Sequence, residues 1–135
     1  MSQVTIRGII TTVLVTWATP KGILVAREGV GFDKPSDNST FIQLTISPAD
    51  TQVASVDGTR LRYLGDVFIN IWTDGATGTG EAEQLSDEIA TTLFPVVPKS
   101  YLPLSVETVP SVKRAILDDS GYRITPITFS YRMES

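Results

Sequence analysis

The sequence predicts an α+β domain: an antiparallel or mixed β-sheet of about five to six strands with two helices packed on one face. Three observations lead to this fold class. Two stretches repeat apolar residues at helical spacing, several others alternate at the period of a strand, and most connections are of hairpin length. At 135 residues the chain fits a single domain spanning residues 1–135.

The first stretch predicts a helix near the N-terminus. Its apolar residues recur every three to four positions and form one stripe: Ile6, Ile9, Ile10, Val13, Leu14 and Trp17. Many of its residues are β-branched, which favours strands, so a strand over residues 3–18 remains the alternative. Pro20 and Gly22 end the element in either case.

A long loop and a strand are expected next. Residues 27–40 concentrate glycine, proline, aspartate, asparagine and serine, which is typical of an exposed loop. FIQLTIS, residues 41–47, alternates and predicts a half-buried strand. Residues 48–60 have little periodicity and contain an Asp57-Gly58 turn signal, so a second loop is expected there.

Residues 60–73, RLRYLGDVFINIWT, form the most strand-like segment of the chain. Val67, Ile69 and Ile71 are expected to face the core. On the opposite face, three large apolar residues recur four positions apart: Leu64, Phe68 and Trp72. An uncovered sheet face with such residues usually meets a partner, so we interpret them as a candidate subunit interface; a helix or loop of the same subunit covering them is the alternative.

A second helix is predicted over residues 79–94, because Ala82, Leu85, Ile89 and Leu93 form one stripe while acidic residues face outward. Thr79 is a candidate N-cap, and Pro95 ends the helix. Beyond it, residues 102–109, 111–117 and 121–132 are predicted as strands, the last two joined as a hairpin through Asp-Asp-Ser-Gly.

The glycine-rich turn at residues 75–80, GATGTG, resembles a phosphate cradle only superficially. Its spacing matches neither the dinucleotide fingerprint nor the phosphate loop that ends in Lys-Ser or Lys-Thr. Glu81 and Glu83 follow at once and place negative charge where a phosphate would bind. We therefore expect a flexible turn that leads into a helix.

Composition argues against chemistry at a reactive site. The chain contains no histidine and no cysteine, which removes the usual general base, thiolate nucleophiles and zinc ligands. The adjacent Asp118 and Asp119 lie where a turn would favour them. We predict no enzyme activity, no catalytic residues, no cofactor and no metal site.

Charge and hydropathy restrict the partners. Eleven basic residues are scattered singly, and fifteen acidic ones give a net charge of −4, so no specific nucleic-acid binding is expected. The apolar N-terminal stretch lacks the basic leader and cleavage site of a signal peptide, and no run is long enough to span a membrane. We expect a soluble protein made in a cytoplasm, without a membrane partner.

One extended part of the chain resembles a known family. It comprises ISPADTQVASVDGTRLRYLGDVFINIWTDGATGTGEAEQLSDEIATTLFP and VPSVKRAILDDSGYRITPITFSYR. In order, these contain a strand with an S-P-A turn, an R-x-x-G strand, a glycine-rich turn before a helix ending in F-P, and a closing hairpin. The order and spacing of these features, over roughly residues 40–132, resemble the tail terminator-like proteins of phages with long, non-contractile tails.

The resemblance implies a virion structural protein located in the neck region of the tail. It implies a homo-hexameric ring at the head-proximal end of the tail tube, which ends tube polymerisation and offers a surface for joining the head. The implied partners are further copies of the chain, the tail tube protein and a head-completion or connector protein, with DNA able to pass through the ring. Assembly would take place in the host cytoplasm.

The two predicted loops are the candidate sites for contacts with the tube and the head. The residues we select in them are Phe32, Asp33, Lys34, Val53, Val56 and Asp57. Two other functions stay open at this point. The chain could be another neck component, such as a head-closure or tail-completion protein, or, less favoured, a small-molecule-binding domain that uses the glycine-rich turn.

Overall fold

The computed structural model describes residues 3–27, 40–53, 58, 61–74, 80–94, 104–106, 108, 110–117 and 121–134. The first half of this part contains α1 (Gln3–Ala18), a 3₁₀ turn (Thr19–Lys21) and the strands β1 (Leu24–Arg27), β2 (Phe41–Val53) and β3 (Leu61–Asp74). The second half contains α2 (Gly80–Glu88), a π-helical turn that continues it (Ile89–Leu93), and the strands β4 (Leu104–Val106), β5 (Ser111–Val112), β6 (Ile116–Leu117) and β7 (Tyr122–Glu134).

All seven strands join one sheet in the order β1-β2-β3-β7-β4, and β5 and β6 also pair with β7. β1 runs parallel to β2, whereas every other pair is antiparallel, so the sheet is mixed. The predicted α+β class is therefore confirmed. The number of strands exceeds the expected five to six, because the chain between residues 104 and 117 contributes three short strands along β7.

The N-terminal segment is a helix, which resolves the alternative of a strand. Its core stripe, Ile6, Ile10 and Leu14, is fully buried. Burial of this stripe outweighs the weak helix propensity of its β-branched residues, since most helical stability in proteins comes from packing. As predicted, the helix ends near Pro20: Gly22 adopts a left-handed conformation with φ of 72°, and its N–H donates to the Thr19 carbonyl at 3.0 Å.

Both helices pack on the same face of the sheet, as predicted. The core between the layers consists of Ile6, Ile10 and Leu14 from α1; Leu85, Ile89, Leu93 and Phe94 from α2 and its continuation; and Ile42, Leu44, Ile46, Val67, Ile69, Ile71, Val106, Ile127, Phe129, Tyr131 and Met133 from the sheet. Within it, the rings of Phe94 and Phe129 stack with centroids 4.8 Å apart. The alternation predicted for β2 and β3 is correct: residues 42, 44 and 46 and residues 67, 69 and 71 face the helices.

The second strand is longer than predicted. Residues 48–53 were expected to belong to a loop, but β2 continues through them to Val53 and pairs with β3 as far as Leu61. The register shifts between Pro48 and Thr51, which marks a β-bulge. A bulge leaves an extra residue unpaired and bends the strand, so this turn-like sequence is accommodated without ending the ladder.

Candidate functional site

The face of the sheet opposite the helices carries the predicted apolar residues of β3. Leu64, Phe68 and Trp72 alternate with the buried core residues and therefore share this open face. Phe68 lies in the middle and is 37% exposed. Its register partners are Thr45 on β2 and Thr128 on β7, so an aromatic ring projects between two hydroxyl-bearing side chains.

Trp72 lies at one end of this face, within an aromatic cluster that sequence reasoning did not assemble. Its ring stacks on Phe41 with centroids 5.2 Å apart and meets Tyr122 edge to face at 5.8 Å. Phe41 and Tyr122 also contact each other at 5.4 Å, and both are almost fully buried. Trp72 is only half-buried, so the cluster fixes its ring and leaves one side accessible.

Leu64 lies toward the other end and is half-buried. It lines a shallow depression of about 370 Å³ together with Arg62, Asp66, Ser130 and Arg132. The Ser130 hydroxyl donates to a carboxylate oxygen of Asp66 at 2.7 Å, which joins β7 to β3. The open face is therefore apolar at its centre and at the aromatic end, and charged at the Leu64 end.

Val53 was placed in a contact loop, but the structure places it in the last position of β2, paired with Leu61. Its side chain is 64% exposed. The other loop residues selected from the sequence, Phe32, Asp33, Lys34, Val56 and Asp57, lie outside the described residues, as does most of the glycine-rich turn. Gly80 begins α2, and Glu81 and Glu83 occupy its first turn.

Comparison with known families matches residues 5–131 to the model for the phage tail terminator protein. This match spans both helices and nearly the whole sheet. The chain belongs to the phage tail terminator family. It is accordingly a structural protein of the phage tail, in a family of structural rather than enzymatic proteins, and its place is in the tail of the virion.

Two solved structures share the fold of this tail terminator family member. One is 27% identical, with 98% of this chain and 96% of its own length covered and a TM-score of 0.77. The other belongs to the virion of a native gene transfer agent particle. It is 18% identical, with 87% of this chain and 84% of its own length covered and a TM-score of 0.56. At that identity the second likeness shows the fold alone. Comparison with curated proteins gives no match.

The outer surface of α1 is a further feature of this tail terminator that the sequence analysis did not single out. Arg7 is the only charged residue among its sixteen. In the C-terminal half of the helix, Thr12, Val13, Thr16 and Trp17 line an apolar groove of about 400 Å³ with Leu93. A surface helix normally carries charges on its outer face. A count of charged residues within the predicted helix would have revealed this.

Within the part of the chain that the structure describes, no three acidic residues converge to hold a metal ion. No helix in that part is long and apolar enough to cross a bilayer. The described part of this tail terminator is a two-layer fold of one sheet and two helices.

Proposed function

We propose that this chain forms a homo-hexameric ring at the head-proximal end of the tail tube. There it ends tube polymerisation and provides the surface to which the head is joined. The observation that carries this proposal is the family match over residues 5–131, which covers nearly the whole α+β fold rather than one motif. Its partners are further copies of itself, the tail tube protein and a head-completion or connector protein.

The open face of the sheet supports association between subunits. Phe68 exposes more than a third of its surface at the centre of that face. Burying the exposed part of the Phe68 side chain in a contact would contribute about 1–2 kcal/mol to the free energy of association. A ring needs a contact between two different patches that closes after a fixed number of copies, because a contact that does not close produces a filament. We therefore assign Leu64, Phe68 and Trp72 to one of those two patches.

The outer surface of α1, with Arg7 as its single charge, supports the same interpretation. A helix with a single charged residue, and with a half-buried tryptophan beside an apolar groove, resembles helices that are covered by other polypeptide. By contrast, α2 carries Glu81, Glu83, Asp87 and Glu88. The helix layer thus has one half with a single charge, on α1, and one acidic half, on α2.

Contacts with the tube and the head are assigned to the chain segments at residues 27–40 and 48–60. Connections between secondary-structure elements lie at the surface and tolerate change, so they frequently carry recognition. Val53, the last residue of β2, belongs to the second of these segments and has an exposed side chain. The ring assembles in the host cytoplasm, and DNA passes through it without sequence-specific recognition.

The proposal is tested by light scattering and negative-stain electron microscopy of the purified protein, alone and mixed with tail tubes. We expect sixfold rings that attach to one end of each tube. A protein that stays a single subunit at the concentrations of virion assembly would contradict the ring.

A second assay separates the terminator from another neck component. When tubes are assembled without this protein, a terminator predicts overlong tubes, since nothing stops their growth. A head-closure or tail-completion protein predicts tubes of normal length that do not join heads. Tubes of normal length would therefore overturn the termination role while leaving the structural role in the tail.

A further inference from the structure

A cavity of about 360 Å³ lies on the helix side of the sheet, away from the open face. It is enclosed by α2, by the segment of residues 112–115 and by the N-terminal part of β7. The backbone N–H of Lys113 donates to the carbonyl of Pro126 at 2.8 Å, which holds the segment against β7. The walls are therefore formed by three separate parts of the chain.

Thr125 lines this cavity with a buried hydroxyl that has no hydrogen-bond partner among the described residues. The residue is only 6% exposed. Its neighbour Ser86, also buried, donates its hydroxyl to the Glu83 carbonyl at 3.0 Å. Leaving a buried hydroxyl without a hydrogen bond is unfavourable, so one that faces a cavity without a partner indicates that a ligand group is missing.

Positive charge surrounds the same cavity. Lys113, Arg114 and Arg123 all line it, and within the described residues none of the three forms an ion pair. Glu83 supplies the one carboxylate among the lining residues. This concentration of cations contrasts with the net charge of −4 of the whole chain. The local charge and the unpaired hydroxyl, which can donate a hydrogen bond, both favour an anion.

We propose that this cavity binds a carboxylate side chain of a protein partner. Arginine and lysine donate to carboxylates through short, charge-assisted hydrogen bonds, and the Thr125 hydroxyl can add a further one. Ala82, Val112 and Ala115 give the cavity apolar walls that suit the methylene groups of a glutamate side chain. A nucleic-acid backbone fits less well, because the chain carries a net charge of −4 and repels the further phosphates of a strand.

The test uses as its probe glutamate with an acetylated amino group and an amidated α-carboxyl group, so that only the side-chain carboxylate is charged. The same derivative of glutamine is its neutral match. Both are titrated into the ¹⁵N-labelled protein in buffer of low ionic strength, since salt screens such contacts. We expect saturable shifts of the amide signals of residues 112–115 and Thr125 with the glutamate probe alone. Equal shifts with both probes would overturn the proposal, because charge would then play no part.

Variants identify the groups that bind. Arg123→Gln is expected to weaken binding about tenfold, as for the loss of a charge-assisted hydrogen bond. Arg114→Gln, at an exposed position, gives the same test if the first variant does not fold. Arg27→Gln removes the same charge from the remote strand β1 and should leave affinity unchanged. Glu83→Gln should strengthen binding, because it removes the carboxylate that repels the ligand.

Thr125→Val separates a ligand-binding hydroxyl from one that is merely unpaired. We expect the variant to fold and to bind the glutamate probe more weakly. Unchanged affinity would show that the hydroxyl makes no contact and would overturn its role. Inorganic phosphate is titrated in parallel: saturation by phosphate without saturation by the glutamate probe would identify a free anion as the ligand and overturn the assignment to a protein carboxylate.

Discussion

The ring of Tyr131 lies directly over Gly65, its partner on the neighbouring strand. A Cβ atom added to Gly65 would lie 2.6 Å from Cζ of the tyrosine and 2.7 Å from the carbonyl oxygen of Ser47, and it would also overlap the tyrosine hydroxyl. Tyr131 is completely buried and belongs to the core. Because Gly65 has no side chain, the large Tyr131 ring fits between the sheet and the helices, beside the bulge in β2.

Gly65→Ala is accordingly expected to lower the free energy of unfolding by about 1–3 kcal/mol, as overpacking of a core does. Gly8→Ala is the matched control, because Gly8 is exposed on α1 and a Cβ there meets nothing within 4 Å. It should stabilise the protein by up to about 1 kcal/mol through helix propensity. Urea denaturation of both variants measures the difference; similar changes in the two would contradict the close packing at Gly65.

Two buried threonines of the sheet should respond in opposite directions to replacement by valine. The Thr73 hydroxyl donates to the Arg123 carbonyl at 3.4 Å, whereas that of Thr125 forms no hydrogen bond with any residue that the structure describes. Thr73→Val should therefore cost about 1 kcal/mol, and Thr125→Val should be neutral or stabilising by about 1 kcal/mol. Thermal unfolding in buffer without carboxylates or phosphate compares the two. A marked loss of stability in Thr125→Val would mean that its hydroxyl is satisfied.

The helical nature of the N-terminal segment can be checked through its buried stripe. Ile10→Ala removes a fully buried side chain and should cost about 2–5 kcal/mol. Thr12→Ala, on the exposed side of the same helix, should be neutral or stabilise by a few tenths of a kcal/mol. Chemical denaturation provides the comparison. If Thr12→Ala were as damaging as Ile10→Ala, the assignment of the buried stripe would be wrong.

Introducing a charge at the centre of the open face should weaken association. Phe68→Asp is preferred to a change at Trp72, because Trp72 also packs against Phe41 and Tyr122 within the subunit. We expect the variant to fold but to have a lower mass in light scattering. Gln84→Asp adds the same charge to the exposed acidic surface of α2 and should keep the mass of the natural protein. Rings formed equally well by Phe68→Asp would remove this face from the subunit contact.

The connection between β2 and β3 offers a test of recognition that leaves the fold in place. Val53 and Leu61 are register partners, so Asn-Gly can replace residues 54–60 as a two-residue hairpin turn. We expect rings that no longer end tube growth. A seven-residue Gly-Ser insert keeps the length and should fail in the same way, because it lacks Val56 and Asp57. Tails of normal length with either variant would show that this connection makes no essential contact.

Sequence periodicity identified most of the core correctly, because alternation and helical spacing report which side chains are buried. Ile69 and Ile71 on β3, and Ile10 and Leu14 on α1, are all completely buried. The extent of β2 was missed because Pro48 and Asp50 are typical of turns, and a bulge is a property of two paired strands rather than of one. Pairing partners far apart in sequence determine such features.

Some features of the candidate site could likewise be predicted from the sequence, and others could not. The shared face of Leu64, Phe68 and Trp72 follows from their spacing within one strand. The aromatic cluster does not, because Phe41, Trp72 and Tyr122 come from three strands whose register the sequence does not state. The cationic cavity cannot be predicted from spacing either, because it forms only where α2 lies beside residues 112–115 and Arg123. Sites within one element can be predicted from spacing, whereas sites between elements depend on topology.

The two borders of the described sheet have a consequence for how copies can meet. One border is β1, four residues long, and the other consists of β4, β5 and β6, which are three, two and two residues long. Along these four short strands an incoming strand finds only two to four residues on which to add. Strand addition at β1, β4, β5 and β6 is therefore disfavoured, which favours contacts between copies through side chains, whose geometry can limit the number of copies.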